Sequence, residues 1–312
     1  LALRPEDRVA VKPHASPIFH AMQYLMGNQT REKMENFRGF GGVQSYPSRT
    51  KDIDDVDFST GSVGLGVGIT ALASMVQDYI TAKSWGADAP QGRMVALVGD
   101  AELDEGNVYE CLQEGWKNDL RNTWWIIDYN RQSLDGIVRE GLFGRVEKIF
   151  EAFGWDVVRV KYGALQRAAF EEPGGAALRD WIDACPNVEY SALTYMGGAN
   201  WRKRLMEDLG DQGAVSALIE RRDDAALAAL MENLGGNCVE TMAQTFQGFM
   251  GPIADRQNAH VLNGSSGMVG TAQSPRQRQQ AIRPLPSPFR ADRTARTGGD
   301  IGQTLPRARD RT

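Results

Sequence analysis

Two short apolar runs, residues 94–98 (MVALV) and 123–129 (TWWIIDY), lie one helix-length apart in this chain. The first is followed at once by Gly99-Asp100, the second by Asn130-Arg131-Gln132. Apolar runs this short, closed by turn residues, read as buried strands, and residues 107–117 between them read as a helix. A second helix near 145–153 leads into a third strand at 155–160 (WDVVRV). Strands alternating with helices make βαβ units, so the expected fold class is α/β, a parallel sheet with helices on both faces and right-handed crossovers. Such a sheet gathers the carboxyl ends of its strands along one edge, where ligands bind. Gly99-Asp100 and Asn130-Arg131-Gln132 are therefore expected at the same edge.

Around this frame, residues 16–26 have helical spacing, with Pro17 suited to a first turn. Residues 37–60 are rich in Gly, Ser, Pro and Asp and read as a long surface loop. GSVGLG (61–66) then runs into the buried-helix pattern GITALASMVQDYITAK. Residues 164–250 read as further helices, among them 225–234. No run approaches the roughly 18 apolar residues of a membrane span, and a formal net charge of -5 gives no reason to expect a nucleic-acid or membrane partner. The three cysteines (Cys111, Cys185, Cys238) are too scattered for a disulfide framework or a CxxC metal site, and read as reduced thiols of a cytoplasmic protein. Residues 251–312 hold ten arginines, no lysine, no glutamate and a single aromatic, Phe289. That composition cannot bury enough apolar surface to offset ordering, so the segment is expected to be disordered. A shifted reading frame of a GC-rich gene would also produce it.

The chemistry collects at the strand ends. Asp100 offers a carboxylate, Asn130 an amide oxygen and Gln132 a backbone carbonyl, and three hard oxygens suit Mg²⁺ or Ca²⁺ with phosphate oxygens completing the shell. A helix beginning near Glu105–Asn107 would aim its free N–H groups at the same phosphates. On the residues alone an ordinary Gly-Asp turn remains the stronger reading. GSVGLG is not a dinucleotide fingerprint, because it follows a polar loop and lacks the GxGxxG spacing, and no Walker loop occurs.

GDAELDEG followed by IIDYNRQSLDG resembles the thiamine-diphosphate signature. More narrowly, NFRGFGGVQSYPSRT, DFSTGSVGLG, GDAELDE, NRQSLDG and FEAFGWDVVRVKYG are similar, in order, to the N-terminal domain of the homodimeric pyruvate dehydrogenase E1 component, and more remotely to transketolase. The resemblance implies a thiamine-diphosphate-binding domain over 1–250, followed by the tail 251–312. It implies Mg²⁺ held by Asp100, Asn130 and the Gln132 carbonyl, with Gly99, Ala101 and Glu102 at the diphosphate. Ser62, Val63 and Gly64 would approach the cofactor rings from the other side. Relatives often carry a larger residue at Val63 and a glycine at Ala101, where a methyl group is tolerable provided φ is negative. His14 matches a histidine lining the family's active-site channel and is the catalytic candidate, suited to proton transfer near neutral pH. Tyr46 matches a segment near the substrate.

His20 is expected to be structural, the acidic run 52–57 a solvated loop rather than a second metal site, Trp124 and Trp125 core residues, and Cys111 inert. Asn237 stands where relatives have a histidine. The resemblance further implies a 2-oxo acid substrate, a homodimer when intact, and a glutamate that activates the cofactor on a separate pyrimidine-binding domain. That domain is not seen here, so the chain is expected to be a fragment inactive alone. An N-terminal transketolase subunit, or a non-catalytic piece that keeps a binding or dimerisation surface, are the other readings.

Overall fold

The computed structural model describes residues 3–249, except positions 87, 88, 131, 134, 135 and 138, together with Gly267–Ala272. Residues 94–96 and 123–127 are buried without interruption, which strands achieve only with apolar cover on both faces. They belong to three adjacent parallel strands: β1 (Arg8–Ala10), β2 (Met94–Gly99) and β3 (Thr123–Asp128). Between β1 and β2 come α1 (Ser16–Leu25), the short α2 (Arg31–Glu35), a run without helix or strand over 36–64, and α3 (Leu65–Ala82). The turn after β2 leads into α4 (Gly106–Lys117), which returns to β3 as expected for a crossover helix. A two-residue ladder, β4 (Gln132–Ser133) with β5 (Gly136–Ile137), follows β3, and α5 (Leu142–Ala152) leads into β6 (Trp155–Val160).

Val67 and Ala71 of α3, Val108 and Leu112 of α4, and Val146 and Phe150 of α5 pack with Val95, Trp125 and Ile127 in one core. Trp125 sits at its centre, 5.8 Å from the Phe150 ring and 4.2 Å from that of Trp155. Trp124 and Trp125 are thus core residues, as their apolar strand predicts.

The chain then forms six short helices: α6 (Ala164–Phe170), α7 (Gly175–Ala184), α8 (Asn187–Met196), α9 (Gly198–Leu209), α10 (Gly213–Glu220) and α11 (Asp224–Glu232). They close around a core of their own, with Leu178, Trp201, Leu205, Leu218 and Leu227 fully buried. α12 (Val239–Phe249) follows. Among the described residues, no helix is long and apolar enough to cross a membrane.

Two elements depart from the sequence reading. β1 was not anticipated: three residues are too few for a pattern, but their register beside β2, Arg8 opposite Met94 through Ala10 opposite Ala96, fixes where the next residues emerge. The second is β7 (Gly267–Ala272), which lies within the segment expected to be disordered and runs antiparallel between β3 and β6. A strand with a neighbour on each side has its backbone groups paired on both edges, a gain that tail composition does not register. β6 keeps the direction of β3, so the three strands read from sequence are parallel while the sheet is mixed. The rest of the tail lies outside the described residues.

Candidate functional site

β2 and β3 end level, Gly99 opposite Asp128. Asp100 leaves β2 one residue past that pair and Asn130 leaves β3 two residues past it, both at the carboxyl edge. The Gln132–Ser133 backbone of β4 comes within 8 Å of the 3₁₀ turn Asp100–Asp104. The three groups expected to hold a cation are therefore gathered at one rim. Asp100 is buried, its Oδ1 accepting from the Ala101 N–H at 3.0 Å, and Asn130 is exposed. Ala101 keeps a negative φ: Arg38, Ser84 and Asp119 alone among the described non-glycine residues have positive values. The methyl group in place of glycine is accommodated there without backbone strain.

Glu102 organises the turn. One of its carboxylate oxygens accepts from the Gly99 N–H at 2.9 Å and the other from the Gly64 N–H at 2.8 Å. Burial pushes this carboxyl up, against the N–H groups of Gly99 and Gly64 and the charges of Lys12 and His14, which pull it down. Asn107, in the first turn of α4, donates from Nδ2 to the Gly64 carbonyl at 3.0 Å. Gly64 is thus fastened at both its N–H and its C=O to the segment that follows β2. Its φ of +78° suits only glycine, and a Cβ would come within 2.7 Å of Asn107 Oδ1. Ser62 is exposed and Val63 half-buried beside it. The sequence reading placed Glu102 at the diphosphate through its backbone; the bridging role of its side chain had no signal in the motif.

β1 delivers a further group to this edge. Lys12 reaches across to Asp128, Nζ to Oδ2 at 2.5 Å, and His14 follows, itself exposed, in a 3₁₀ turn, close enough for its charge to act on Glu102. The apolar residues preceding Lys-Pro-His were the signal for Lys12, too short to read without β2 alongside.

The loop before α3 is pinned to the same segment. Thr60 Oγ1 donates to the Val11 carbonyl and Ser16 Oγ to the Ser45 carbonyl, both at 2.5 Å. Tyr46 lies beside Gly61, its ring 3.7 Å from the position of a Cβ there. His20, expected to be structural, is fully buried, with Nδ1 2.6 Å from Asp54 Oδ2. The acids at 52–57 are not simply solvated. Asp52 accepts from the Gln44 and Ser48 N–H groups, Asp54 contacts His20, and Asp57 accepts from Val9 N–H. A loop without helix or strand must find acceptors for its buried N–H groups, and these carboxylates supply them. Cys111 is pushed up by burial and by Glu110 and Glu114, which suits an inert thiol. Asn237 lies in a 3₁₀ turn beyond α11.

The edge fits a metal-bridged diphosphate. Gly106 opens α4, and the N–H groups of a helix N-terminus accept an anion. Yet Asp100, Glu102, Asp104 and Glu105 place four carboxyl groups in the adjoining turn. A diphosphate approaching them needs a divalent cation between, and oxygen donors of this kind are the ones Mg²⁺ takes.

Residues 6–172 match the family model described as transketolase, thiamine diphosphate binding domain. The chain is 28% identical over 275 residues to the pyruvate dehydrogenase E1 component of Mycolicibacterium smegmatis, covering 81% of this chain and 29% of that protein. It is 27% identical over 237 residues to the corresponding component of Escherichia coli K12, covering 74% and 26%. The chain thus spans less than a third of the length of these curated relatives. Among solved structures, a transketolase from Campylobacter jejuni is matched at 25% identity with a TM-score of 0.42, over 47% of this chain and 23% of that one. With more than half of its residues matched by that family model, the chain belongs to the transketolase family of thiamine diphosphate binding domains.

Proposed function

We propose that this chain is the diphosphate-holding domain of a thiamine-diphosphate-dependent 2-oxo acid dehydrogenase of the pyruvate dehydrogenase E1 type, with Mg²⁺ bound by Asp100, Asn130 and the Gln132 carbonyl. The observation that carries the reading is the aligned ending of β2 and β3, with Asp100 and Asn130 just beyond it and Gly64 tied to the same turn through Glu102. The named relatives, which are pyruvate dehydrogenase E1 components matched over most of this chain, favour that substrate class over a ketose.

In this reading the carboxyl edge binds and orients. The backbone at Gly99, Ala101 and Glu102 and the N-terminus of α4 face the diphosphate, while Ser62, Val63 and Gly64 approach the rings. When bound, thiamine diphosphate supplies the nucleophilic carbon and electron sink that 2-oxo acid decarboxylation needs. His14, exposed at the same edge, is the group placed to move a proton at the substrate, and Tyr46 to touch it.

The pyrimidine-holding half is proposed to come from a further domain or a partner subunit, in a homodimer acting in the cytoplasm. Broad apolar exposure supports a missing cover: Ile18, Met22, Leu25 and Met26 in and after α1, and Leu72, Val76 and Tyr79 on α3, all stand at half exposure or more. By this reading the chain alone binds the cofactor but does not turn over.

Calorimetric titration of thiamine diphosphate into the chain, with and without Mg²⁺, tests the proposal. Binding is expected to require Mg²⁺ and to weaken by at least about a hundredfold in Asp100→Ala, since a metal ligand is lost. Binding indifferent to both would overturn it. Decarboxylation of pyruvate by the purified chain alone would overturn the need for a second half.

A further inference from the structure

A cluster of possible cation ligands lies where α1 meets the loop before α3. His20, Asp52 and Asp54 each offer one ligand atom, and these atoms lie within 4.8 Å of one another. His20 is fully buried and Asp54 is 6% exposed. The rings of Phe19 and Phe37 stand edge-on to the imidazole at 5.6 and 6.4 Å, giving it apolar walls.

The polar atoms in this pocket do not balance. His20 Nδ1 is 2.6 Å from Asp54 Oδ2, and Nε2 is 3.2 Å from the Gln44 carbonyl, so both ring nitrogens face oxygen acceptors. A neutral imidazole carries one N–H and can satisfy one of them. Asp54 Oδ1 is buried with no hydrogen-bond partner. Asp52 is held by two backbone donors, Gln44 N–H at 2.9 Å and Ser48 N–H at 2.8 Å, and brings a second negative charge to the same ring. An extra proton on the imidazole would answer the Nδ1 contact alone. It would leave Asp54 Oδ1 unpaired and two carboxylates sharing one positive charge in an apolar pocket, which is costly.

We infer that His20, Asp52 and Asp54 bind a divalent first-row transition ion, with Zn²⁺ the best fit, which staples α1 to the loop carrying Tyr46. One imidazole nitrogen and two carboxylates are a zinc-type donor set, whereas Mg²⁺ and Ca²⁺ prefer oxygen alone. Tetrahedral zinc with bonds of about 2.0–2.2 Å sets its ligand atoms about 3.3 Å apart, so the 2.6 Å contact between Nδ1 and Asp54 Oδ2 opens on binding or Asp54 ligates through its unpartnered Oδ1. Nε2–H donating to the Gln44 carbonyl leaves Nδ1 as the ligating nitrogen, and that carbonyl orients the ring as an outer partner. The site shares no residue with the proposed Mg²⁺ set.

The test strips the full chain with chelator and then adds Zn²⁺ in the presence of excess Mg²⁺, reading stoichiometry by elemental analysis and the melting temperature by circular dichroism. One equivalent of zinc and a raised melting temperature are expected. Affinity should fall at least about tenfold in His20→Gln, Asp54→Asn and the less buried Asp52→Asn, and stay at the wild-type value in Asp100→Ala. Co²⁺ in place of zinc should give the visible absorption of a tetrahedral site, lost in Asp52→Asn even if the two buried variants fold poorly. No zinc-dependent shift in the wild type, or binding that survives all three substitutions, overturns the site; so does loss of zinc in Asp100→Ala, which would place the ion at the sheet edge.

Discussion

Glu102→Gln is the sharpest perturbation of the proposed cradle, because it exchanges one carboxylate oxygen for an amide nitrogen and leaves the volume nearly alone. The carboxylate accepts from Gly99 N–H at 2.9 Å and from Gly64 N–H at 2.8 Å. An amide keeps one acceptor and turns an N–H₂ group onto the other backbone donor. Loss of one hydrogen bond to a charged acceptor costs about 1.5–3 kcal/mol. Against that, burial already disfavours the ionised carboxyl, so removing the charge recovers part of the loss, and a net destabilisation of about 1–2 kcal/mol is expected. Glu102→Ala orphans both buried donors at about 1–3 kcal/mol each and should cost more. Urea unfolding at neutral pH measures both. The sign with pH is an internal check. Because burial raises this carboxyl above its ordinary 4.5, the native state holds the proton more tightly than the unfolded chain. Its contribution therefore falls as pH rises from 4.5 through the folded value, and that slope should vanish in Glu102→Gln. If both variants unfold within about 0.5 kcal/mol of the wild type, as surface substitutions do, Glu102 is not a bridge between the two segments.

Three further outcomes follow from the geometry. Gly64→Ala forces a side chain into a left-handed φ of +78° and against Asn107 Oδ1 at 2.7 Å, and should cost at least about 1–2 kcal/mol in thermal or urea unfolding, with weakened cofactor binding. Asp7→Asn removes the carboxylate that pairs with the buried Arg93 guanidinium, a loss of about 3–5 kcal/mol. Burial pushes the Asp7 carboxyl up, but the Arg93 and Arg4 hydrogen bonds outweigh it and hold it below 3.8; its contribution is therefore present above pH 3.8 and is lost as pH falls through the folded value, which acid unfolding of wild type and variant would reveal. Burial raises the Cys238 thiol too, but hydrogen bonds from Ala164, Thr241 and Asn233 bring it down to about 7. The ultraviolet thiolate signal should accordingly rise near neutrality in the wild type and be missing in Cys238→Ser, with Cys111 titrating above its ordinary range.

What was legible in the sequence was what periodicity and turn chemistry record. β2, β3 and β6, the helices between them, and the placing of Asp100 and Asn130 just past the level ends of β2 and β3 all follow from apolar runs closed by Gly-Asp and Asn. What was not legible depends on partners distant in sequence. Three residues became β1 only because Met94–Ala96 paired with them, and Lys12 reached the site only because β1 aimed it there. Gly267–Ala272 became a strand through two neighbours, against its composition. The acids at 52–57 looked solvated because a local reading cannot see Gln44, Ser48, Val9 and His20 waiting for them. The same distinction separates the two proposed cation sites. The one at the sheet edge is announced by two motifs, Gly99-Asp100 and Asn130-Arg131-Gln132, because each closes an apolar strand. The one proposed at His20 joins a helix to a loop 34 residues on; its acidic run read as a solvated loop rather than a metal site, and what points the other way is the buried carboxylate oxygen left without a donor.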